Sequence, residues 1–511
     1  MAPLIQRLPF FALTAISLAR PSSSTPLELP KSNCTQDDNL PSNSTTFSIK
    51  WIDCPKEAEF SPNLECGTLT VPIDWDEPTG PTFELGLVRL PAIPSNTTSK
   101  IGSLFVNPGG PGESASQIVN AVAAGALQVE ELLASFDWIG LDPRGVGISN
   151  PVQCNMSIYA ERVSLFPKTR EEYDTLVDKN RRFGESCLDM TGPLLEHIDT
   201  ISVAKDHEAA RIALGNEPIN YLGISYGSQI GAQYAALFPE NIRTLALDGI
   251  VQHSGPESYS LLVDSTSYDR SLSHFLTWAS SNDTSPLYGQ DTEELWFSLL
   301  ANATNSPIPA PSCDDVVCRS DVNAEEILFK AQGYLLYKEG GVGLSWADFA
   351  AALYNATQGD ASGLSSDLNA SILAPGIAVG CLDWTHESSL TLSSVLAQKH
   401  QAESYAPLTQ GAGQSWQILH SCIGWPAAVK NPQKKLNITT DTTVLLVNGD
   451  SDPSTGYPWA VGMLEEFENA VLVTRRGEGH ASFPLGGEAA SIIGAYLITS
   501  RAPEANIFTV S

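Results

Sequence analysis

Gly223-Ile224-Ser225-Tyr226-Gly227 is a G-x-S-x-G pentapeptide between the apolar, strand-like Tyr221-Leu222 and a helix-like run from about Ser228 to Leu237. A turn this sharp holds a serine hydroxyl proud of the backbone, and flanking glycines are needed because β-carbons there would strike neighbouring elements. A serine hydroxyl attacks a carbonyl only when a base takes its proton and a third group holds that base. The partners are expected downstream in the order acid, then histidine. Of eight histidines, His480 alone lies in a glycine-bounded loop directly after a late strand, Arg476-Gly477-Glu478-Gly479-His480. The others, His197, His207, His253, His274, His386, His400 and His420, precede the serine or lie between it and the late strands, and read as surface or structural histidines. The acid comes from Asn448-Gly449-Asp450-Ser451-Asp452-Pro453. Asp452, before Pro453, is the better placed to turn back towards the histidine; Asp450 is the alternative, since either carboxylate can instead cap the turn. Acyl transfer also needs backbone N–H groups aimed at the developing oxyanion. Tyr226, after the serine, supplies one, and Gly109-Gly110 in the loop Asn107-Pro108-Gly109-Gly110-Pro111-Gly112 supplies backbone that can approach the substrate closely. That loop lacks the Lys-Ser/Thr or G-x-G-x-x-G continuation of a phosphate cradle.

The elements that must position these residues read as follows. Strands are predicted at about 83–90, 103–106, 137–141, 221–222, 244–247, 443–447 and 471–474, and helices at 199–214, 228–237 and 488–499. Strands alternating with helices imply a mostly parallel sheet covered on both faces. Between about Gln252 and Gln433 helical runs take over, at 324–338, 346–354 and 390–401, which reads as a helical cap inserted into an α/β core. The expected division is a leader over 1–19, a variable segment over 20–50, core over 51–251, cap over 252–433 and core again over 434–511.

The balance of 28 Lys plus Arg against 58 Asp plus Glu gives a formal charge of -30, a surface that repels phosphate backbones and anionic lipid and removes nucleic acid as a partner. Arg7, the apolar run Leu8 to Ala19 and the small residues Ser17-Leu18-Ala19 have the order of a cleavable secretory leader. Nothing else approaches the roughly 20 apolar residues of a membrane helix. The nine cysteines show no zinc spacing, so no metal or cofactor is expected, and disulfides ranked by loop length are Cys54–Cys66, Cys154–Cys187, Cys313–Cys318 and Cys381–Cys422, with Cys34 left over. In a secreted or vacuolar protein the sequons at Asn33, Asn43, Asn96, Asn155, Asn282, Asn302, Asn355, Asn369 and Asn437 are candidate glycosylation sites.

Taken together, Trp51-Ile-Asp-Cys54 with Glu65-Cys66, Val71-Pro-Ile-Asp74, Asn107-Pro-Gly-Gly-Pro-Gly112, Asp142-Pro-Arg-Gly-Val-Gly147, Tyr221-Leu-Gly-Ile-Ser-Tyr-Gly227, Cys381-Leu-Asp383, Cys422-Ile-Gly-Trp-Pro426, Asp452-Pro453 and Gly479-His480 form a recognisable set. From about Trp51 onwards the chain resembles the tripeptidyl aminopeptidase and prolyl aminopeptidase group of α/β-hydrolases, peptidase family S33, and within it the secreted tripeptidyl aminopeptidase-like branch of fungal type. The resemblance implies an α/β-hydrolase fold, Ser225, Asp452 and His480 as triad, and Gly109 and Tyr226 as oxyanion hole. It departs in having no cysteine after His480 and in reading Val251-Gln252-His253-Ser254 where the family has an acidic continuation. An aminopeptidase also needs carboxylates for the substrate ammonium; the cap offers Glu325, Glu326, Asp348 and Asp383. An esterase or thioesterase tailoring a secondary metabolite, and a catalytically silent binding module, are the competing readings on the same fold.

Overall fold

The computed structural model describes residues 47–93, 99–127, 129–340, 343–368, 372–386 and 390–510. The expected leader, Cys34, and the sequons at Asn33, Asn43, Asn96 and Asn369 lie outside them.

The strands in chain order are β1 (Lys50–Ile52), β2 (Glu65–Pro72), β3 (Thr82–Leu90), β4 (Gly102–Asn107), β5 (Phe136–Leu141), β6 (Ile219–Ile224), β7 (Ile242–Asp248), β8 (Ile308–Pro309), β9 (Asp321–Val322), β10 (Val444–Ser451), β11 (Ala470–Glu478) and β12 (Ile507–Val510). Ten of them form one sheet in the order β1-β2-β3-β5-β4-β6-β7-β10-β11-β12, while β8 and β9 pair by themselves. The pairs β1/β2, β2/β3 and β3/β5 are antiparallel and every later pair is parallel. Burial follows position: all six residues of β6 are buried, as a central parallel strand covered on both faces requires, whereas the burial of β2 is broken by exposed Glu65 and Thr70. Helices Thr200–Ala213 and Tyr226–Leu237 pack on each other beside this centre.

Between β7 and β10 the described residues form seven α-helices, Glu257–Ser281, Thr292–Asn305, Ala324–Tyr334, Trp346–Thr357, Leu373–Asp383, Leu392–Tyr405 and Gln414–His420. They bury an apolar centre of their own, in which Phe275 stacks on Phe349 at 4.3 Å and Trp296 and Trp346 are enclosed. Their starts are chemically marked: Asn323 with Glu326 and Ser345 with Asp348 form reciprocal capping boxes. The helix expected to reach Lys338 stops at Tyr334, and the turn that follows carries the Leu336 carbonyl to the His480 N–H at 2.8 Å. The 22-residue helix Arg170–Thr191, opened by a Thr169/Glu172 capping box, was not read from the sequence. Four disulfides join the pairs ranked by loop length. No helix among the described residues is long and apolar enough to cross a membrane.

Candidate active site

Ser225 stands between β6 and helix Tyr226–Leu237 with φ 57° and ψ -128°, a conformation costly for a residue with a β-carbon. Its N–H donates to the Asp248 carbonyl at the end of β7 (2.9 Å). The elbow's glycines are sterically required: a β-carbon on Gly227 would meet the Asn107 carbonyl oxygen at 2.5 Å, and one on Gly223 the Gly227 oxygen at 2.2 Å.

β10 and the loop after β11 bring in the acid and the histidine. Both Asp452 oxygens lie 3.0 Å from His480 Nδ1. The carboxylate also accepts from the N–H groups of Ser454, Thr455 and Ala481 and from Thr455 Oγ1, at 2.8–2.9 Å. Burial alone would raise its pKa, but the His480 charge and these donors outweigh burial and hold it below the usual carboxylate range. For His480, burial lowers the pKa, and the Asp452 carboxylate more than reverses that, leaving it above the usual imidazole value. An N–H at Nδ1 facing Asp452 leaves Nε2 as the basic nitrogen. The ring is set beside the elbow: a β-carbon on Gly249, next to the Asp248 that binds Ser225, would lie 3.3 Å from His480 Cε1. Among the described residues no protein hydrogen bond joins Ser225 Oγ to the ring, the open geometry common before substrate binds. Asp450, the alternative acid, instead accepts the Gly477 N–H at 3.1 Å.

The loop Asn107–Gly112 packs against the elbow. Gly109 does press on the elbow, but its N–H is turned to Asn107 Oδ1 at 3.0 Å, closing a local turn. Its neighbour Gly110 lines the cavity that holds Ser225 and Tyr226, and its N–H has no protein partner among the described residues. Gly110 thus shares the cavity with Ser225 and Tyr226.

Several supporting residues escaped the sequence reading. Asp248 Oδ2 accepts the Ser482 and Phe483 N–H groups (2.7 and 2.6 Å), and the buried Arg475 guanidinium gathers the carbonyls of Glu478, Gly479 and Ala481. Together they fix the loop that carries His480. Gln414 of the cap donates to the Gly110 carbonyl and accepts from Ser454, tying the cap to both catalytic loops. Asp248 and Arg475 carried a signal, since each is a charged residue closing an apolar strand.

The cavity at Ser225 holds about 60 Å³ and is walled by Val251, Trp384, Ile418, Leu419 and Trp459. None of Glu325, Glu326, Asp348 or Asp383 lines it. Asp383 is fully buried, accepting from the Thr200 N–H and hydroxyl, Gln229 and Asn431, which leaves it no room for a substrate ammonium. Glu326 and Asp348 are committed to capping boxes, and Glu325 to Ser164 and the Leu165 N–H. A larger cleft of about 500 Å³, lined by Glu161, Lys179, Arg319 and Glu325 among others, does not contain the serine.

The family model described as alpha/beta hydrolase fold matches residues 102–311, and that described as TAP-like protein matches 406–508. The chain has the α/β-hydrolase fold. It is 27% identical over 463 residues to the tripeptidyl aminopeptidase of Streptomyces coelicolor, covering 84% of this chain and 80% of that one. It is 28% identical over 459 residues to the serine protease Hip1 of Mycobacterium tuberculosis, covering 83% and 84%. Among solved structures, the proline iminopeptidase of Mycobacterium smegmatis aligns at 14% identity over 85% of this chain and 98% of its own, with a TM-score of 0.33, too distant to argue from.

Proposed function

We propose that this α/β-hydrolase-fold protein is a serine hydrolase working through an acyl-enzyme, and within that class an aminopeptidase that releases short peptides or single residues from free N-termini. The observation that carries the reading is the buried Asp452–His480 pair beside a strained Ser225 that shares its cavity with Gly110 and Tyr226. In this reading Ser225 attacks the carbonyl and His480 Nε2 takes its proton. Asp452 holds the tautomer and stabilises the imidazolium, while Gly110 and Tyr226 N–H groups receive the oxyanion. His480 then returns the proton to the leaving group, and water repeats the sequence on the acyl-enzyme. The peptidase part is supported by the relatives named tripeptidyl aminopeptidase and serine protease, which match the chain along most of its length.

One observation favours a second reading, an esterase or thioesterase: the cavity beside Ser225 is apolar and has no carboxylate on its walls. Peptides with free and acetylated N-termini, run beside aryl esters, separate the two. Cleavage restricted to free N-termini supports the aminopeptidase, whereas indifference to acetylation or turnover of esters alone supports the esterase. The four disulfides support function in an oxidising compartment such as the secretory pathway. Asn155, Asn302, Asn355 and Asn437 are exposed there for glycosylation, and Asn282 half-buried.

A further inference from the structure

Glu113 is a carboxylate beside the candidate catalytic histidine that the mechanism above leaves unused. It closes the oxyanion loop, its N–H donating to the Gly109 carbonyl at 3.2 Å. A β-carbon on Gly110 would stand 3.3 Å from Glu113 Cγ, so the side chain lies against a residue that lines the cavity at Ser225. The residue reaches solvent, and its carboxylate has no hydrogen-bond or ion-pair partner among the described residues. Burial raises the Glu113 pKa and the charge of a protonated His480 offsets part of that rise, while Tyr337, from the cap turn that binds the His480 N–H, feels the Glu113 charge in turn. The other carboxylates near the ring are committed, Asp452 to His480 and Asp248 to the Ser482 and Phe483 N–H groups.

Which side of the scissile bond Glu113 serves follows from the walls. Ser225, Tyr226 and Gly110 line the apolar cavity, and neither His480 nor Glu113 does, so the cavity takes the acyl part of the substrate. The leaving group must lie where His480 can hand it a proton, on the side where Glu113 stands. We propose that Glu113 is a specificity-determining residue that favours leaving groups carrying a positive charge, as a peptide does when a lysine or arginine follows the scissile bond. This rests on the acyl-enzyme reading but not on the choice between peptide and ester.

Two esters of one acid isolate the effect, the choline ester and its uncharged isostere, the 3,3-dimethylbutyl ester. In the wild-type protein at low ionic strength the ratio of kcat/KM, choline over dimethylbutyl, should exceed the ratio in Glu113→Gln by about fivefold, the size of a solvent-exposed ion pair. In Glu113→Lys the preference should reverse, and 0.5 M salt should shrink the wild-type ratio, on the order of what screening over a few ångströms allows. Because each ratio is taken within one variant, a general loss of activity cancels. Equal ratios in wild type and both variants, in protein whose Ser225 is labelled by a fluorophosphonate, would overturn this inference alone. No labelling of Ser225 in folded wild-type protein would overturn the acyl-enzyme reading and this inference with it.

Discussion

Replacing Gly109 by alanine adds one methyl group at the tightest contact between the oxyanion loop and the nucleophile elbow. The new β-carbon would stand 2.6 Å from the Ile224 carbonyl oxygen, 2.7 Å from the Tyr226 nitrogen and 2.9 Å from Ser225 Cβ. All three lie on the elbow's backbone or at the root of its side chain, so no rotamer change relieves them and the loop must retreat. Gly109 also sits at φ 103°, which adds roughly 1–3 kcal/mol of strain for any residue with a β-carbon. Retreat of the loop carries the Gly110 N–H away from the oxyanion position, and losing one such donor costs about 10²–10³ in rate, or roughly 3–4 kcal/mol of transition-state stabilisation. The expected result is a fall of that size in kcat/KM on a p-nitrophenyl ester, measured beside a urea unfolding curve to show that the variant is folded. Gly125→Ala is the matched control: it too has positive φ, 79°, but open space within 4 Å, so it carries the backbone strain without the contact. A folded Gly109→Ala whose kcat/KM stayed within about threefold of Gly125→Ala would refute the reasoning, because one lost donor is worth far more than that.

The remaining expectations are briefer. Since His480 must be neutral to act as base and its pKa is raised, chiefly by Asp452 working against burial, kcat/KM should climb with pH through a midpoint above 6.5; Asp452→Asn should lower kcat about 10⁴-fold, and a midpoint below 6.5 in the wild type would contradict the pairing. Asp264 holds the N-terminus of the cap helix Gln414–His420 through the Ser415 N–H, and burial raises its pKa to about 7, so the folded state keeps a proton that the unfolded chain loses near pH 4. Its contribution to stability therefore falls as pH rises from about 4 to 7, and urea midpoints of Asp264→Asn should vary less over that window than those of the wild type. Asp383→Ala should cost about 3 kcal/mol in urea unfolding by stranding Thr200, Gln229 and Asn431, without changing discrimination between free and acetylated N-termini. Loop entropy ranks the crosslinks: removing Cys381–Cys422, whose partners are 41 apart in sequence, should cost about 4 kcal/mol against about 2 for Cys313–Cys318, 5 apart, a ranking that equilibrium unfolding of the double-serine variants checks.

What was legible in the sequence was whatever local chemistry dictates. Gly223 and Gly227 announced the elbow because no other residue fits those contacts, and β10 announced itself through Val444 to Val447, the continuous apolar run of a parallel strand buried on both faces. The choice between Asp450 and Asp452 depended on the irregular end of β10, where the register shifts between Gly449 and Ser451, and a one-residue change there sends a side chain to the other face. The residues alone left Gly109 and Gly110 both open and only the resemblance chose Gly109; the turn of its N–H to the Asn107 side chain is a contact that adjacent glycines do not reveal. Asp383 attracted attention as an acid in the cap, yet its partners Thr200, Gln229 and Asn431 come from three distant stretches of chain, which no local pattern records. Arg170–Thr191 went unread because its face is set by contacts from elsewhere, such as Asn180 reaching the His420 and Ile423 carbonyls.

The central claim is that Ser225 is a nucleophile activated by His480, and covalent labelling reaches it most directly. Folded protein treated with a fluorophosphonate, digested and mapped by mass spectrometry should carry a single adduct on Ser225. That adduct should be absent in Ser225→Ala and formed at least about 100-fold more slowly in His480→Ala, since a serine without its base is a poor nucleophile. An adduct on another residue, or labelling of Ser225 at an unchanged rate in His480→Ala, would contradict the account.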